Sequence, residues 1–152
     1  MDAVVHSTYV IEKTFAGPPE RVFRAFSEPE KKRLWFANDA GVTEFKADFR
    51  LGGCEYTRRN TPLESPMKGA SLTNETTYLD LVPDRRIVFA YTMAVGGTRI
   101  SASLVTIELA PTSDGRTDLT FTDQAAFFEG ADGVTIREQG WRSLLEGLEK
   151  TL

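Results

Sequence analysis

The sequence predicts an α+β domain in which a sheet of short antiparallel strands packs against one long C-terminal helix. Two changes of texture carry that prediction. From Glu44 to Gln124 the chain reads as β-rich runs punctuated by glycine and proline, and beyond Gly133 its apolar period becomes helical. At 152 residues, a single domain buries roughly two thirds of its unfolded surface, enough for a core without staples.

Tyr9 to Phe15 is rich in β-formers and ends at Gly17-Pro18-Pro19, which predicts a strand stopped by a turn. A short amphipathic helix should follow, because proline is tolerated in a first turn and Val22, Phe23 and Phe26 recur at helical spacing. Glu20 sits near its positive end. Ser27-Glu28-Pro29-Glu30 has capping-box spacing and predicts a second short helix running to Leu34-Trp35-Phe36. Lys31-Lys32-Arg33 then reads as a solvated face, since adjacent helical positions fan outward instead of converging on a phosphate.

The meander that follows is punctuated by Gly52-Gly53, Pro62 to Gly69, Pro83-Asp84, Gly96-Gly97 and Pro111 to Gly115. In its clearest strand, Ile87, Phe89, Tyr91 and Met93 share one face. In the next, apolar parity switches from Ile100, Ala102 and Leu104 to Val105, Ile107 and Leu109, which favours a bulge over two covered faces. If the second set points inward and its register holds, Ser101 and Ser103 carry hydroxyls into the sheet. Leu119 and Phe121 alternate in the same way. The final helix presents Val134, Trp141, Leu145, Leu148 and Leu152 as its stripe. Gly140 and Gly147 each cost about 1 kcal/mol inside it. Two readings account for them: close backbone approach, or side-chain volume withheld to make room for a ligand.

Bulk features narrow the function. Hydrophobic residues at 41% and charged residues at 26% are ordinary for a globular protein. The start, Met1 to Thr8, has no basic and apolar leader, and no run approaches the ~20 apolar residues of a membrane span, so a cytoplasmic location without membrane insertion is expected. One cysteine, Cys54, and one histidine, His6, leave no metal-ligand cluster, so neither metal nor cofactor is expected. A net charge of -4 with interspersed signs argues against nucleic acid as a partner. Without a secretion signal the Asn74-Glu75-Thr76 sequon has no glycosylation role.

Several strings in this order resemble the START-like (SRPBCC) helix-grip superfamily, and within it the bacterial branch grouped with the C-terminal domain of the Hsp90 ATPase activator (AHSA1-like). They are Pro18-Pro19-Glu20-Arg21-Val22-Phe23 with Pro29 and Trp35, then Gly52-Gly53 with Glu55, then Tyr78-Leu79-Asp80-Leu81-Val82-Pro83 with Arg86-Ile87-Val88. Ile100 to Leu104, Thr122-Asp123-Gln124, Phe127, Gly130, Asp132 and Arg137-Glu138-Gln139-Gly140 complete the likeness, which spans nearly the whole chain. The resemblance implies a strongly curved sheet of about seven strands, tandem helices closing one end, and the last helix across the concave face. It also implies a cavity between helix and sheet. Relatives use such a cavity for lipids, hormones, polyketides or other hydrophobic molecules, and some are cyclases or self-sacrificing resistance proteins, so the fold does not select the function.

On that frame Trp35, Phe36, Phe49, Phe89, Tyr91, Phe121, Phe128 and Trp141 point inward, with Leu145 on the helix stripe, as core or as cavity lining. Phe127-Phe128 lies where a lid would sit. The polar candidates are Glu55, Tyr78, Asp80, Ser101, Ser103, Asp123 and Gln124. Asp80 reads as a turn or surface residue, and Glu55 as a surface ion pair with Arg58 or Arg59 or, if desolvated, as a general base. The serines lack an activating histidine, because His6 belongs to an end expected to fray, and Glu55 beside Cys54 disfavours a thiolate.

The leading expectation is a protein that binds a small hydrophobic molecule, with Trp35, Phe36, Phe49, Glu55, Tyr78, Phe89, Tyr91, Ser101, Ser103, Phe121, Gln124, Phe128, Trp141 and Leu145 as its site. The alternatives are a cyclase- or hydrolase-like enzyme using Glu55, Asp123 or a tyrosine, and a co-chaperone of Hsp90. A monomer and a homodimer are both compatible with the sequence.

Overall fold

A computed structural model of the chain describes residues 3–65 and 67–152. Met1, Asp2 and Pro66, the last within the Pro62 to Gly69 stretch, lie outside the described residues. The elements run β1 (Val5–Phe15), α1 (Pro19–Ser27), α2 (Pro29–Phe36), β2 (Val42–Ala47), β3 (Cys54–Asn60), β4 (Ser71–Val82), β5 (Arg86–Val95), β6 (Thr98–Pro111), β7 (Thr117–Phe127) and α3 (Val134–Thr151). Seven strands form one antiparallel sheet in the order β1-β7-β6-β5-β4-β3-β2. The expected helix-grip architecture is therefore the observed one.

Because β1 and β2 are opposite edges of the sheet, the chain between them must cross from one edge to the other, and α1 and α2 make that crossing. Register shifts between Val42 and Glu44, Tyr78 and Asp80, and Met93 and Ala94 bend the strands, since an extra residue on one side of a pair kinks the ladder. A bulge is expected where the apolar parity of β6 switches, between Leu104 and Val105, but no register shift falls there, and the shift that β6 does carry lies nearer its start. Met93 pairs with Ser101 while Ala94 pairs with Arg99, so Ile100 is the unpaired residue. From Ser101 onward β6 alternates cleanly, with Ser101, Ser103, Val105, Ile107 and Leu109 buried. Gly53 holds another bend, where a Cβ would come within 2.2 Å of the Asp48 carbonyl oxygen.

The α3 stripe meets the sheet as its period requires: Trp141, Leu145 and Leu148 are buried, while Val134 and Leu152 flank the core half-buried. The Trp141 ring packs at a tilt, its centroid 4.6 Å from that of Phe121 and 5.9 Å from that of Phe36, so one residue links β7, α2 and α3. Trp35 donates its indole N–H to the Ala25 carbonyl at 2.9 Å, locking α2 against α1.

Three local expectations are corrected. The strand containing Tyr9 begins at Val5, so His6 is not frayed: it pairs with Ala126 and is exposed. The capping box does not form, because α1 runs through Ser27 and Glu28 becomes the cap of α2 without a side-chain bond. Lys32 is not solvated. It follows the same helical face as Trp35 and Phe36 and is 4% exposed.

Candidate functional site

Between α3 and the sheet, beneath the end of α2, lies a cleft of about 490 Å³ that opens to solvent. This falls at the lower part of the ~300–1,000 Å³ range of small-molecule pockets. Trp35, Phe36, Asn38 and Asp39 come from α2 and the turn after it, and Arg59, Leu72, Asn74, Tyr91 and Met93 come from β3, β4 and β5. Asp132, Ile136, Arg137, Gly140, Trp141, Ser143 and Leu144 form the wall made by α3 and its lead-in, and Met67 closes the loop side.

Neither helix glycine is required by close backbone approach. A Cβ at Gly140 would meet nothing within 4 Å, and this glycine lines the cleft. At Gly147, which faces α2, a Cβ would lie 3.8 Å from Trp35, an ordinary van der Waals contact, so no close approach requires this glycine.

Two buried polar networks flank the cleft. In the first, Lys32 Nζ donates to both Glu55 oxygens at 2.8 Å, and the Tyr78 hydroxyl donates to Glu55 Oε1 at 2.7 Å. Lys32 also lies 4.7 Å from the Phe36 ring centroid. Burial, then the Glu55 charge and the bond to it, push the Tyr78 hydroxyl well above the ordinary tyrosine pKa. Glu55 is therefore neither a surface ion pair with Arg58 or Arg59 nor part of the cleft lining. Arg58 donates to Ser71, and Arg59 donates to Asp39 and the Phe36 carbonyl.

The second network centres on Arg137. Its Nε and Nη2 donate to Asp132 at 2.9 and 2.8 Å, Nη2 also donates to Ser101 at 2.8 Å, and Nη1 donates to the Tyr91 hydroxyl at 3.0 Å. Burial alone would lower the guanidinium pKa, but the bonds to Asp132 and the neighbouring hydroxyls outweigh it and keep the charge fixed. Tyr91 also accepts from the Trp141 indole N–H at 3.2 Å and donates to Asp123 Oδ2 at 3.4 Å, an oxygen that receives the Tyr9 hydroxyl at 2.7 Å. Burial pushes both tyrosine hydroxyls above their usual range.

Burial likewise raises the Asp123 pKa, against the opposing pull of Tyr9, Ser103 and Arg137. Among the described residues neither the Ser103 hydroxyl nor Asp123 Oδ1 has a hydrogen-bond partner. A carboxyl whose pKa is raised by folding binds its proton more tightly in the native state. Its contribution to stability is thus present at low pH and is lost as pH rises from the unfolded value of about 3.9 through the folded one. Denaturant titrations at a series of pH values should show the native protein losing ground to an Asp123→Asn variant as pH climbs through that window. A difference that stays flat or grows the other way would refute the assignment.

Of the expected site residues, Trp35, Phe36, Tyr91 and Trp141 line the cleft. Phe89, Phe121 and Leu145 are core, and Phe49 is half-buried against Phe23 and Tyr78. Ser101 and Ser103 lie inside the sheet as expected, the first beneath Arg137. Gln124 is exposed, because β7 buries its odd-numbered residues and turns 124 away. Phe128 faces a separate hollow beside Ala3, Val5, Gly130, Ala131 and Gly133, so it is no lid over the cleft. Asp80 pairs with Arg86 at 2.7 Å with both half exposed, the surface role expected of it. Sequence reasoning missed Lys32, Asn74, Arg59, Asp132 and Arg137 as parts of the site, although the spacing of Lys32 from Trp35 and Phe36 carried a signal. No helix among the described residues is long and apolar enough to cross a membrane.

The family model described as "Activator of Hsp90 ATPase homolog 1-like protein" matches residues 16–152. A crystal structure from Rhizobium loti is 44% identical, with 99% of this chain and 100% of that one covered and a TM-score of 0.87. One from Rhizobium leguminosarum is 38% identical over 98% of this chain and 95% of its own, with a TM-score of 0.89. A third, from Chromobacterium violaceum, is 27% identical over 94% of both chains, with a TM-score of 0.73. No protein of curated function matches the chain.

Proposed function

We propose that this chain, which belongs to the Activator of Hsp90 ATPase homolog 1-like family, binds a small, largely apolar molecule in the cleft between α3 and the sheet. The observation that carries the reading is the open space in front of Gly140. A glycine inside an 18-residue helix costs about 1 kcal/mol relative to alanine, and at Gly140 no close backbone approach offsets that cost. Room for a guest against Trp141, Tyr91 and Phe36 accounts for a glycine at this place.

An acid-base enzyme is the weaker reading. Glu55, the residue best suited by its type, is held by Lys32 and Tyr78 behind the Phe36 wall, and the carboxylates that do line the cleft, Asp39 and Asp132, are each paired with an arginine.

The test is a Gly140→Phe variant, whose ring fills the cleft without meeting protein atoms at its Cβ. The variant should fold with at least native stability, because a glycine leaves the helix interior. The fluorescence gained when N-phenyl-1-naphthylamine binds the native protein should disappear in it. Undiminished binding by the variant, or no binding by the native protein, would count against the proposal.

A further inference from the structure

The inner wall of the cleft carries a feature that an apolar guest alone leaves unexplained. Along β3 and β4 the paired residues descend from the mouth inward: Arg59 opposite Leu72, then Thr57 opposite Asn74, then Glu55 opposite Thr76. The outer pair lines the opening together with Asn74, and Glu55 is sealed behind with Lys32. In the middle pair, Asn74 lines the cleft and Thr57 lies directly behind that lining; Thr57 Oγ1 and Asn74 Oδ1 are both shut off from solvent, and no group among the described residues hydrogen-bonds to either. Side chains directly opposite on antiparallel strands stand about 4.5–5.5 Å apart at Cβ, so the two unpaired oxygens belong to one locus. Buried polar groups ordinarily find partners, and two side by side mark a place where something polar is received.

The charges around the opening say what kind of group this is. Arg59 is paired with Asp39 at 3.1 Å, and Arg137 with Asp132 at 2.8 Å, so the lining holds two cations and two anions that cancel within the wall. Arg137 commits four of its five N–H donors to Asp132, Ser101 and Tyr91. A charged guest would lose its hydration and gain no free counterion. A neutral hydroxyl suits the pair, because it donates to an amide oxygen and accepts from a threonine hydroxyl at once.

Resting on the reading of this cleft as a ligand site, we infer that its ligand class is a neutral aromatic compound bearing a hydroxyl at its leading end, received between Asn74 and Thr57 while the ring system lies against Trp141, Tyr91 and Phe36.

The test compares three probes of nearly equal shape, 2-naphthol, 2-methylnaphthalene and 2-naphthoate, by amide NMR titration of the intact chain at neutral pH. 2-Naphthol should bind at least about tenfold more tightly than 2-methylnaphthalene, the advantage one hydrogen bond to an otherwise unpaired buried group confers. It should also bind more tightly than 2-naphthoate, with shifts clustered on β3, β4 and α3. Thr57→Val, which keeps the side-chain shape, and independently Asn74→Leu should bring 2-naphthol down to the level of 2-methylnaphthalene. Replacing an unpaired buried polar group with an apolar one does not endanger folding. Equal binding of 2-naphthol and 2-methylnaphthalene would mean that water satisfies the pair, overturning the hydroxyl while leaving an apolar cleft intact. Tighter binding of 2-naphthoate would overturn neutrality. Survival of the 2-naphthol preference in both variants would place the hydroxyl elsewhere, and failure of every probe to shift the cleft would remove this inference and the binding function together.

Discussion

Replacing Lys32 with methionine is expected to destabilise the protein by about 3–5 kcal/mol, the loss incurred when one member of a buried ion pair is removed and the other is stranded. Lys32 and Glu55 are 4% and 3% exposed, and Nζ reaches both carboxylate oxygens at 2.8 Å, so Glu55 would retain only the Tyr78 hydroxyl. The penalty belongs to the stranded carboxylate rather than to the volume of the side chain, because methionine fills nearly the same space. A triple variant, Lys32→Met with Glu55→Met and Tyr78→Phe, leaves no polar atom of the triad behind. It should therefore return to within about 1 kcal/mol of the native value or exceed it, as hydrophobic replacements of buried ion pairs do. Urea titrations of the single and triple variants decide the matter, and a single variant costing under about 1 kcal/mol would show the pair to be solvated.

The same triad marks where the sequence stops being legible. Strand parity, helix stripe and turn residues repeat locally, so the order of elements and the inward Ser101 and Ser103 could be read from spacing alone, whereas the place of the β6 bulge at Ile100 could not. The pairing of Lys32 with Glu55 is a contact between an α2 side chain and a β3 side chain, and no local period encodes it. What the spacing did carry was the position of Lys32 three and four residues before Trp35 and Phe36, which places all three on one helix face. Three adjacent positions do fan around the helix, but that fan turns one of them, Lys32, onto the buried face while Lys31 and Arg33 stay exposed. Gln124 failed for a simpler reason. It follows the Thr122-Asp123 string, but period-2 alternation from Leu119 and Phe121 through Asp123 puts position 124 on the opposite face. Asn74 and Arg59 needed knowledge of which strands border the opening, and that is fixed only when β3 and β4 pair. Local elements follow from local chemistry, while the site is assembled from register.

The strongest consequence for the cleft itself comes from Arg137, whose replacement by methionine should cost about 3–5 kcal/mol and loosen the start of α3 first. The N-terminal end of α3 has little of its own to hold it: its cap is Gly133 at φ 88° with no side-chain bond, and its first turn carries no acidic residue. Arg137 supplies the missing fastening, with one guanidinium reaching Asp132 ahead of the helix, Ser101 on β6 and Tyr91 on β5. Its side chain is 4% exposed and that of Asp132 10%, so loss of the cation strands a buried carboxylate and leaves two hydroxyls short of a donor. Arg137→Lys should recover only part of the loss, because an ammonium keeps the charge but cannot present the planar fork that engages Asp132 through two nitrogens. Hydrogen exchange supplies the local readout: in Arg137→Met the amides from Arg137 to Gly140 should open far more readily than those near Leu145 and Leu148, which remain in the core. Uniform acceleration along α3, or a loss below about 1 kcal/mol, would show that packing of Trp141 rather than this clamp holds the helix over the cleft.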